Sequence, residues 1–342
     1  MSEHRRTCAT MPHHFGLAAS DEAYRARRLR IEGFTRTARL APRTQALVIP
    51  VVVHVLYRQA IDNITDAQVH SQIVVLNEAF RLRNGDRRAI PGPFAALAAD
   101  ALVEFALAQR DPYGLATTGI VRAATSVPRF AYDGSADATR RLDLLVKSAP
   151  TGSPAWPRED YLNLWVVPLD DDLLGYAQFP GGDAATDGVV IRSDAFGNTG
   201  HVHPQFGLGR TCVHEVGHWL NLLHIWGDDV RGCQRSDSVG DTPNQGGPNA
   251  GAPDFPSISC GNAPHGDMFM NYMDYVDDAA MLMFSHGQVE RMNATLAGPR
   301  ASLAVSHGLL PREPAAASAG DRELQFAWLG PRQQLFDGVD WV

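Results

Sequence analysis

The feature that most constrains this chain is the run HEVGHWLNLLH at residues 214–224. On an α-helix, side chains four residues apart share one face, so His214 and His218 can bind one metal ion. Neutral imidazole is a good zinc ligand, and two histidines at this spacing chelate without rearrangement of a loop. The alternative is an ordinary buried helix with incidental histidines. The pattern predicts a zinc site on a helix.

A third histidine lies six residues after His218. A continuous helix would turn His224 away from the other two, so the chain must bend between them. The spacing resembles that of the metzincin peptidases, which usually carry glycine three residues after the second histidine. Asn221 occupies that position here, and asparagine adopts positive φ more readily than most residues. We therefore expect the helix to bend at Asn221 and His224 to join the site.

Two further residues extend the metal motif. Glu215 follows the first histidine and can reach a water on the metal without being a ligand, which is the position of a general base. Zinc lowers the pKa of such a water to roughly 7, so a carboxylate can take its proton at neutral pH. Downstream, Met273 in FMNYMDY has the pattern of a Met-turn beneath the ligands, although a buried methionine is ordinarily core packing.

Composition excludes several other classes of function. The chain has 342 residues, 44% of them apolar and 20% charged, with a formal net charge of −8. This acidic balance argues against nucleic acid or an anionic membrane as the partner. The longest apolar run, residues 46–56, is too short to span a bilayer, so we expect no membrane insertion. No signal peptide is visible after the initial MSEHRR; either export by that route is absent or the signal has been replaced.

Strands alternate with helix before the metal motif, whereas glycine, proline, aspartate and asparagine dominate residues 227–267 after it. We expect an N-terminal arm at 1–45, a catalytic domain at 46–310, and a linker and tail at 311–342. The predicted helices are 20–37, 64–82 and 285–297, and the predicted strands are 46–57, 103–109, 119–125, 162–169, 173–179 and 188–193.

The sequence resembles the pappalysin family of metzincin zinc metallopeptidases. The matching segments are GRTCVHEVGHWLNLLHIWG, DTP and DMFMNYMDYVDDAAMLMFSHGQVERM, and the likeness extends over residues 47–297. The family implies an α+β fold with two lobes. Its upper lobe has a twisted mixed sheet and a long active-site helix, and its lower lobe is rich in loops and ends in a helix. The resemblance also implies a secreted endopeptidase that acts on proteins or peptides. We expect a monomer.

The resemblance assigns further residues to the site. Tyr275 matches a tyrosine that helps to stabilise the tetrahedral oxyanion, although a tyrosine packed in a turn is the alternative. The edge strand at residues 174–179 would bind the substrate backbone by β-augmentation. From composition alone, the four cysteines could form no, one or two disulfides. The family pattern implies a Cys233–Cys260 bridge, and the positions of a second bridge hold Ala252 and Ala280.

Two acidic loops lead to predictions of a calcium site and of substrate specificity. SDSVGDTP offers Asp237, Asp241 and Thr242 as hard oxygen ligands, and the resemblance implies a calcium site there, although an Asp-rich turn without an ion is the alternative. Asp277 and Asp278 follow the Met-turn. A partly desolvated carboxylate there would select arginine or lysine just after the scissile bond, and the family favours Asp278. The alternative is that both are solvated loop acids.

The last expectation concerns latency. Cys8 lies in RTCATMPHH, which resembles a pro-segment motif of the family whose cysteine is thought to bind the zinc. The alternative is a bystander thiol in a disordered tail, and Cys212 is expected to be buried. Activation would then require a cut near the arginines between Arg25 and Arg43. Two competing functions remain open: a catalytically weak zinc-binding interaction module of the same fold, and a zinc hydrolase that does not cleave peptides.

Overall fold

The computed structural model describes residues 5–135, 137–170, 173–228 and 232–309, so the expected linker and tail at 311–342 lie outside it. The α-helices are α1 Thr10–Ser20, α2 Glu22–Thr37, α3 Asp66–Phe80, α4 Gly92–Ala95, α5 Ala138–Val146, α6 Arg210–Trp219 and α7 His286–Ala297. The strands are β1 Leu47–Tyr57, β2 Val103–Leu107, β3 Ile120–Ala124, β4 Leu162–Val167, β5 Gly175–Ala177, β6 Val189–Arg192, β7 Ala250–Gly251 and β8 Tyr275–Val276.

The main sheet has the order β2–β1–β4–β6–β5, and β3 pairs with the second half of β1. Its pairings are parallel except that β5 runs antiparallel to β6, with Tyr176 opposite Val190. The sheet is therefore mixed, as expected. β5 lies at its edge, so one side of β5 is available to pair with another extended chain. The short two-stranded sheet of β7 and β8 belongs to the lower half.

Alternation along β4 shows how the sheet is covered on both faces. Leu164 and Val166 join the large core that contains α3 and α6 and continues into the lower half. Trp165 and Val167 point to the opposite face, where they pack with Leu142 of α5. Because successive strand residues face opposite sides, a strand buried on both faces is largely apolar, which explains the texture of residues 162–167 with the exception of Asn163.

Local capping sets the starts of two helices. The Thr65 hydroxyl accepts a hydrogen bond from the Gln68 amide at the start of α3. Ser285 and Gln288 form a capping box at the start of α7. Between α6 and α7 the described chain consists mostly of turns and short bridges, which is the loop-rich lower half expected from composition.

The expected N-terminal arm lies against the part of the chain expected to form the catalytic domain. α1 packs on α5 and β5, and α2 packs on α7. The predicted arm helix corresponds to α2, whereas α1 and α5 were missed as helices. The apolar residues of α1 give no clear amphipathic pattern, since Phe15 is half exposed and two of the three buried residues, Thr10 and His13, are polar, so its placement depends on tertiary contacts. No helix among the described residues is long and apolar enough to cross a membrane.

Candidate active site

The active-site helix α6 is ten residues long and every one of them is buried. Gly209 precedes it with φ 74°, a left-handed conformation that glycine adopts without strain. The helix carries His214 and His218 on one face, one turn apart. Burial lowers the pKa of both imidazoles; His218 and His224 lower the pKa of His214 further, and His224 lowers that of His218. Both rings are therefore neutral, the form in which histidine binds a metal.

The helix ends at Trp219 because the chain turns at Asn221, whose φ is 75°. The amide of Leu222 donates to the Gly217 carbonyl, and the Leu222 carbonyl lies 2.7 Å from His218 Nδ1. This tight return directs His224 back towards the other histidines. The bend expected at Asn221 is thus present, and it has the physical cause that the sequence suggested.

The three imidazoles converge through their Nε2 atoms. His218 Nε2 lies 3.1 Å from both His214 Nε2 and His224 Nε2. Each Nδ1 faces an acceptor, namely the Tyr272 carbonyl, the Leu222 carbonyl or the Asp228 carboxylate. Each Nδ1 therefore carries the proton, and three Nε2 lone pairs point at one another. A cation resolves that arrangement, and tetrahedral zinc with bonds of 2.0–2.1 Å needs nitrogens about 3.3 Å apart.

Asp228 is a site residue that sequence reasoning missed. Its Oδ1 lies 2.6 Å from His224 Nδ1, and its φ is 54°. Such a carboxylate orients a metal-binding imidazole and raises its basicity. The signal was available, since Asp228 lies four residues after His224, but the helix is already broken there and spacing alone did not predict the contact.

Met273 packs against α6 at Gly217, between the two helical histidines. It is fully buried, and its carbonyl accepts from the Ile225 amide. Its sulfur packs so closely on α6 that a Cβ at Gly217 would lie 2.6 Å from it. Gly217, between the two helical ligands, is therefore required for this contact, which fixes the floor of the site.

Glu215 is buried beside the histidines, and burial raises the pKa of its carboxyl group to about 7. Its Oε2 accepts a hydrogen bond of 2.8 Å from the Thr10 hydroxyl and lies 3.4 Å from Cys8 Sγ. Both of these partners belong to the arm. In this structure the arm therefore covers the group that the sequence singles out as the general base.

Cys8 is the fourth donor at the site. One ligand atom each from Cys8, His214, His218 and His224 all lie within 4.8 Å of one another, and this is the one such cluster of histidine, cysteine and acidic side chains among the described residues. Burial raises the pKa of the Cys8 thiol well above its usual value, and the nearby Glu215 carboxylate adds to this. A cation between the imidazoles would oppose that effect and favour the thiolate.

The arm binds β5 as an added strand. Cys8 pairs with Gly175 in the parallel sense, the Ala9 amide donates to the Gly175 carbonyl, and the Leu174 amide donates to the Thr7 carbonyl. On its other side the Tyr275 hydroxyl lies 3.4 Å from the Cys8 carbonyl. We call the groove between β5 and residues 273–278 the cleft; residues 6–10 of the arm occupy it.

Arg6 occupies a closed pocket at one end of the cleft. Its guanidinium pairs with the Asp278 carboxylate, and both side chains are almost fully buried. It also donates to the Val276 carbonyl at 3.1 Å and to the Thr211 hydroxyl at 2.9 Å. Asp278 further accepts from two backbone amides, those of Leu208 and Arg210. Asp277, the other predicted pocket acid, is partly exposed and is not the partner of the guanidinium.

The predicted calcium ligands do not act as one group. Asp241 accepts from the Ser285 hydroxyl and the Gly287 amide, so its carboxylate caps the start of α7. Asp237 accepts from the Thr242 hydroxyl at 2.9 Å, and burial raises the pKa of its carboxyl group to about 7. A buried carboxylate whose only side-chain partners are neutral is suited to bind a cation, as is the case for Asp237 beside Thr242. Asp241 differs because its carboxylate is already used to cap a helix.

The remaining cysteines are placed as expected. Cys233 and Cys260 form a disulfide in the loop-rich half. Cys212 is a free, fully buried thiol on α6.

A second contact of the arm was not expected from the sequence. On α2, Arg28 donates to the Asn221 side chain at 2.7 Å, and Glu32 accepts from both Asn221 and Arg291 of α7. Arg28 also lies over the Phe179 ring, 4.8 Å from its centroid. The arm is thus bound to the bend residue of the metal motif as well as to the cleft.

Comparison with known proteins agrees with this geometry. The family model described as pregnancy-associated plasma protein-A, peptidase family M43, matches residues 150–297. An extracellular metalloprotease of Colletotrichum graminicola is 30% identical over 256 residues, which is 72% of this chain and 75% of that protein. The chain belongs to this peptidase family. An extracellular metalloprotease of Arthroderma benhamiae is 39% identical over 140 residues, and the match spans 46% of that relative, about half its length.

Solved structures of M43-like peptidases extend the likeness to the arm. Tannerella forsythia mature mirolysin, in complex with a cleaved peptide, is 49% identical with a TM-score of 0.72, covering 77% of this chain and 97% of that one. A mutant of Tannerella forsythia promirolysin is 44% identical with a TM-score of 0.77, and the match covers 88% of this chain and 97% of that one. The metzincin fold with two lobes is thereby confirmed.

Proposed function

We propose that this member of the M43 family is a zinc-dependent endopeptidase made as a latent precursor. The observation that carries the proposal is the convergence of three buried imidazoles through their Nε2 atoms beside the buried Glu215. His214, His218 and His224 would hold the zinc. The promirolysin likeness over most of the chain supports the latent form.

Zinc bound there would supply Lewis-acid activation of water and of the peptide carbonyl. Glu215 is the general base: its carboxylate lies buried beside the histidines, where it would take a proton from the attacking water and return it to the leaving amine. Tyr275 lies on the opposite wall, and its hydroxyl faces the Cys8 carbonyl of the arm. With substrate in the cleft, the same hydroxyl would donate to the carbonyl under attack and stabilise its developing charge.

The pocket that holds Arg6 supports a preference for arginine or lysine just after the scissile bond. Asp278 is fully buried, and two backbone amides hold its carboxylate in place. A buried anion discriminates strongly because an uncharged side chain would leave it unpaired. Arg6 satisfies the pocket in the latent form, so a basic residue of a substrate would take its place. Asp277 has no such position and is not proposed as a specificity residue.

Latency follows from what the arm covers. Cys8 completes the donor set of the zinc, Thr10 holds the Glu215 carboxylate, and Arg6 fills the specificity pocket. Residues 38–46 connect α2 to β1 without regular structure and are mostly exposed, so a cut there would free the arm. Arg39 and Arg43 lie in this segment, and the proposed preference would favour the bonds before them.

Secretion and calcium are secondary proposals. The relatives are named extracellular metalloproteases, which supports action outside the cell on proteins or peptides. A calcium ion would bind at Asp237 and Thr242. Calcium should then raise the thermal stability of the zinc-loaded protein, whereas an unchanged melting temperature, with full recovery of an EDTA-treated sample by zinc alone, would argue against the ion.

The decisive experiment compares the wild type with Glu215→Ala and Glu215→Asp on peptides that carry arginine after the scissile bond. We expect cleavage by the processed wild type, its loss in Glu215→Ala by at least about 1,000-fold, and unchanged zinc content by elemental analysis. Peptide cleavage that persists in Glu215→Ala would refute the role of this base. Zinc binding without any cleavage by the processed wild type would favour the interaction module.

A further inference from the structure

A buried polar cluster lies on the face of β5 that points away from the metal helix. Asp143 of α5 accepts a 2.9 Å hydrogen bond from the Tyr176 hydroxyl and pairs with Lys147 at 2.6 Å, both through Oδ1. Its other oxygen, Oδ2, faces His13 Nε2 of the arm at 3.3 Å. Asp143, Lys147 and His13 are all buried, and none of them takes part in the chemistry described above.

The Asp143 carboxyl group is held in its ionised form. Burial by itself raises the pKa of the Asp143 carboxyl group, but the Lys147 ammonium and His13 lower it to about 2. Lys147 is held from the other side by the rings of Trp165 and Tyr176, each 5.1 Å from its ammonium nitrogen. Asp143 is therefore an ionised carboxylate in a rigid position, with one oxygen bound within the domain and the other directed at the arm.

Strand geometry connects this cluster to the cleft. Gly175 faces the metal side, since a Cβ there would lie 3.2 Å from the Glu215 side chain. Tyr176 must then face the α5 side, where it packs with Trp165 and Leu142. Any chain paired with β5 likewise alternates between the two sides. In the arm, Cys8 points to the metal side, and its neighbour Ala9 points to the α5 side.

We propose that Asp143 and Tyr176 form a second specificity subsite, on the unprimed side of the scissile bond, for an arginine, lysine or histidine side chain of the substrate. This rests on the proposed peptidase function. Arg6 marks the primed end of the cleft, and the arm runs from there past the metal to Ala9 and His13. In the precursor, the small side chain of Ala9 and the imidazole of His13, one turn further along α1, together fill this space. In a substrate, one long basic side chain would fill the same space.

When the arm leaves, Asp143 loses a hydrogen-bond partner that a substrate side chain in this subsite would replace. With His13 gone, Asp143 Oδ2 loses its 3.3 Å partner, while Oδ1 remains bound to Tyr176 and Lys147. A donor on a substrate side chain would restore that contact in a partly desolvated site, where such a bond is charge-assisted. An apolar side chain would leave the Asp143 oxygen without a donor. The subsite therefore discriminates as the Asp278 pocket does, by leaving a desolvated carboxylate unpaired when the substrate side chain is uncharged.

The test profiles cleavage by the full zinc-loaded chain after processing in segment 38–46, using peptides with arginine fixed after the scissile bond and each unprimed position varied. We expect one unprimed position at which arginine, lysine or histidine raises kcat/KM about 10-fold over methionine. Asp143→Asn should reduce that ratio to below about 2-fold and leave the requirement for arginine after the bond unchanged. Asp143→Asn/Lys147→Met serves if the single variant is unstable, because it removes both buried charges together.

Asp133→Asn is the matched control, since Asp133 is an exposed acid at the cleft end of the loop before α5 and pairs with Arg141 there. It should keep the unprimed preference. A flat unprimed profile in the wild type, loss of the preference in Asp133→Asn, or its survival in Asp143→Asn would each overturn the subsite. Failure to cleave any peptide with arginine after the bond would instead refute the peptidase proposal and the subsite with it.

Discussion

Arg6 is the residue whose replacement should most clearly expose the latency device. Arg6→Met keeps most of the length of the side chain but removes the guanidinium that pairs with Asp278 and donates to Val276 and Thr211. It also removes the contact of that cation with the Phe206 ring, 5.1 Å from its centroid. The Asp278 carboxylate would then be buried with only backbone donors.

The magnitude follows from the burial of the pair. Removing one partner of a buried ion pair costs ~3–5 kcal/mol. Release of the arm admits water to Asp278, so the lower end of that range applies, about 3 kcal/mol, to the difference between docked and released arm. Since 1.4 kcal/mol is a factor of ten, the released fraction should rise about 100-fold.

The assay follows self-processing of the full chain by gel after zinc is added to the metal-free protein, at several protein concentrations. Where arm release limits the rate, Arg6→Met should process about 100-fold faster than the wild type. In a Glu215→Ala background, which prevents cleavage, hydrogen exchange at the amides of Ala9 and Leu174 should accelerate by a similar factor, because both donate across the arm–β5 pairing.

Arg5→Met is the control because Arg5 is exposed and adjacent. It removes the same positive charge from the arm without opening the pocket, and it should change the processing rate by less than about 2-fold. If Arg6→Met and Arg5→Met process at the same rate and show equal exchange, the Arg6–Asp278 pair does not hold the arm and the reasoning from burial fails.

Three other predictions test the fold and the site. Burial lowers the pKa of His54 to about 4, so the unfolded chain takes up a proton below pH 6.5 that the native chain refuses until about pH 4. Stability should therefore fall as pH drops through that window, by about 2 kcal/mol between pH 6.5 and 5. The unfolding free energy of His54→Gln, measured by denaturant titration in the Glu215→Ala background, should therefore fall less with decreasing pH than that of Glu215→Ala alone. An equal dependence on pH in the two proteins would contradict this. Asn221→Ala should weaken zinc binding in competition with a chelator because φ is 75° there, whereas Asn221→Gly should retain affinity; equal losses in both would show that the side chain matters and the backbone bend does not. Cys233→Ser should lower the unfolding free energy by about 3–4 kcal/mol, since the bridge spans a sequence separation of 27, and an unchanged denaturation midpoint would refute a stabilising role.

Features governed by local geometry could be predicted from the sequence. His214 and His218 are one helical turn apart and Glu215 directly follows His214, so the helix period places the two histidines together with the glutamate beside them. Asn221 has a side chain that tolerates positive φ, and the bend occurs at that residue. The strands β1 and β6 are rich in β-branched residues and β4 is largely apolar, and the sequence predicts all three as strands.

Features that depend on distant partners could not be predicted in this way. Asp241 and Asp237 look equivalent in SDSVGDTP, but packing against α7 turns Asp241 into a helix cap. Asp277 and Asp278 are adjacent acids, and the amides of Leu208 and Arg210 select Asp278 for the pocket. α1 has no clear amphipathic pattern from which to recognise it, because its polar residues Thr10 and His13 are buried by partners elsewhere in the chain.

The sequence by itself determined the metal motif, its base and the bend, because a helical turn and one permissive dihedral angle are properties of neighbouring residues. Only the tertiary structure decided that the motif is covered. Arg6 and Asp278 are 272 residues apart, and nothing in either segment specifies their pairing. It arises because α1 and α2 dock on α5 and α7 and so carry residues 6–10 along β5. The sequence does not reveal this coverage because it depends on burial between distant segments, which leaves no local pattern in either of them.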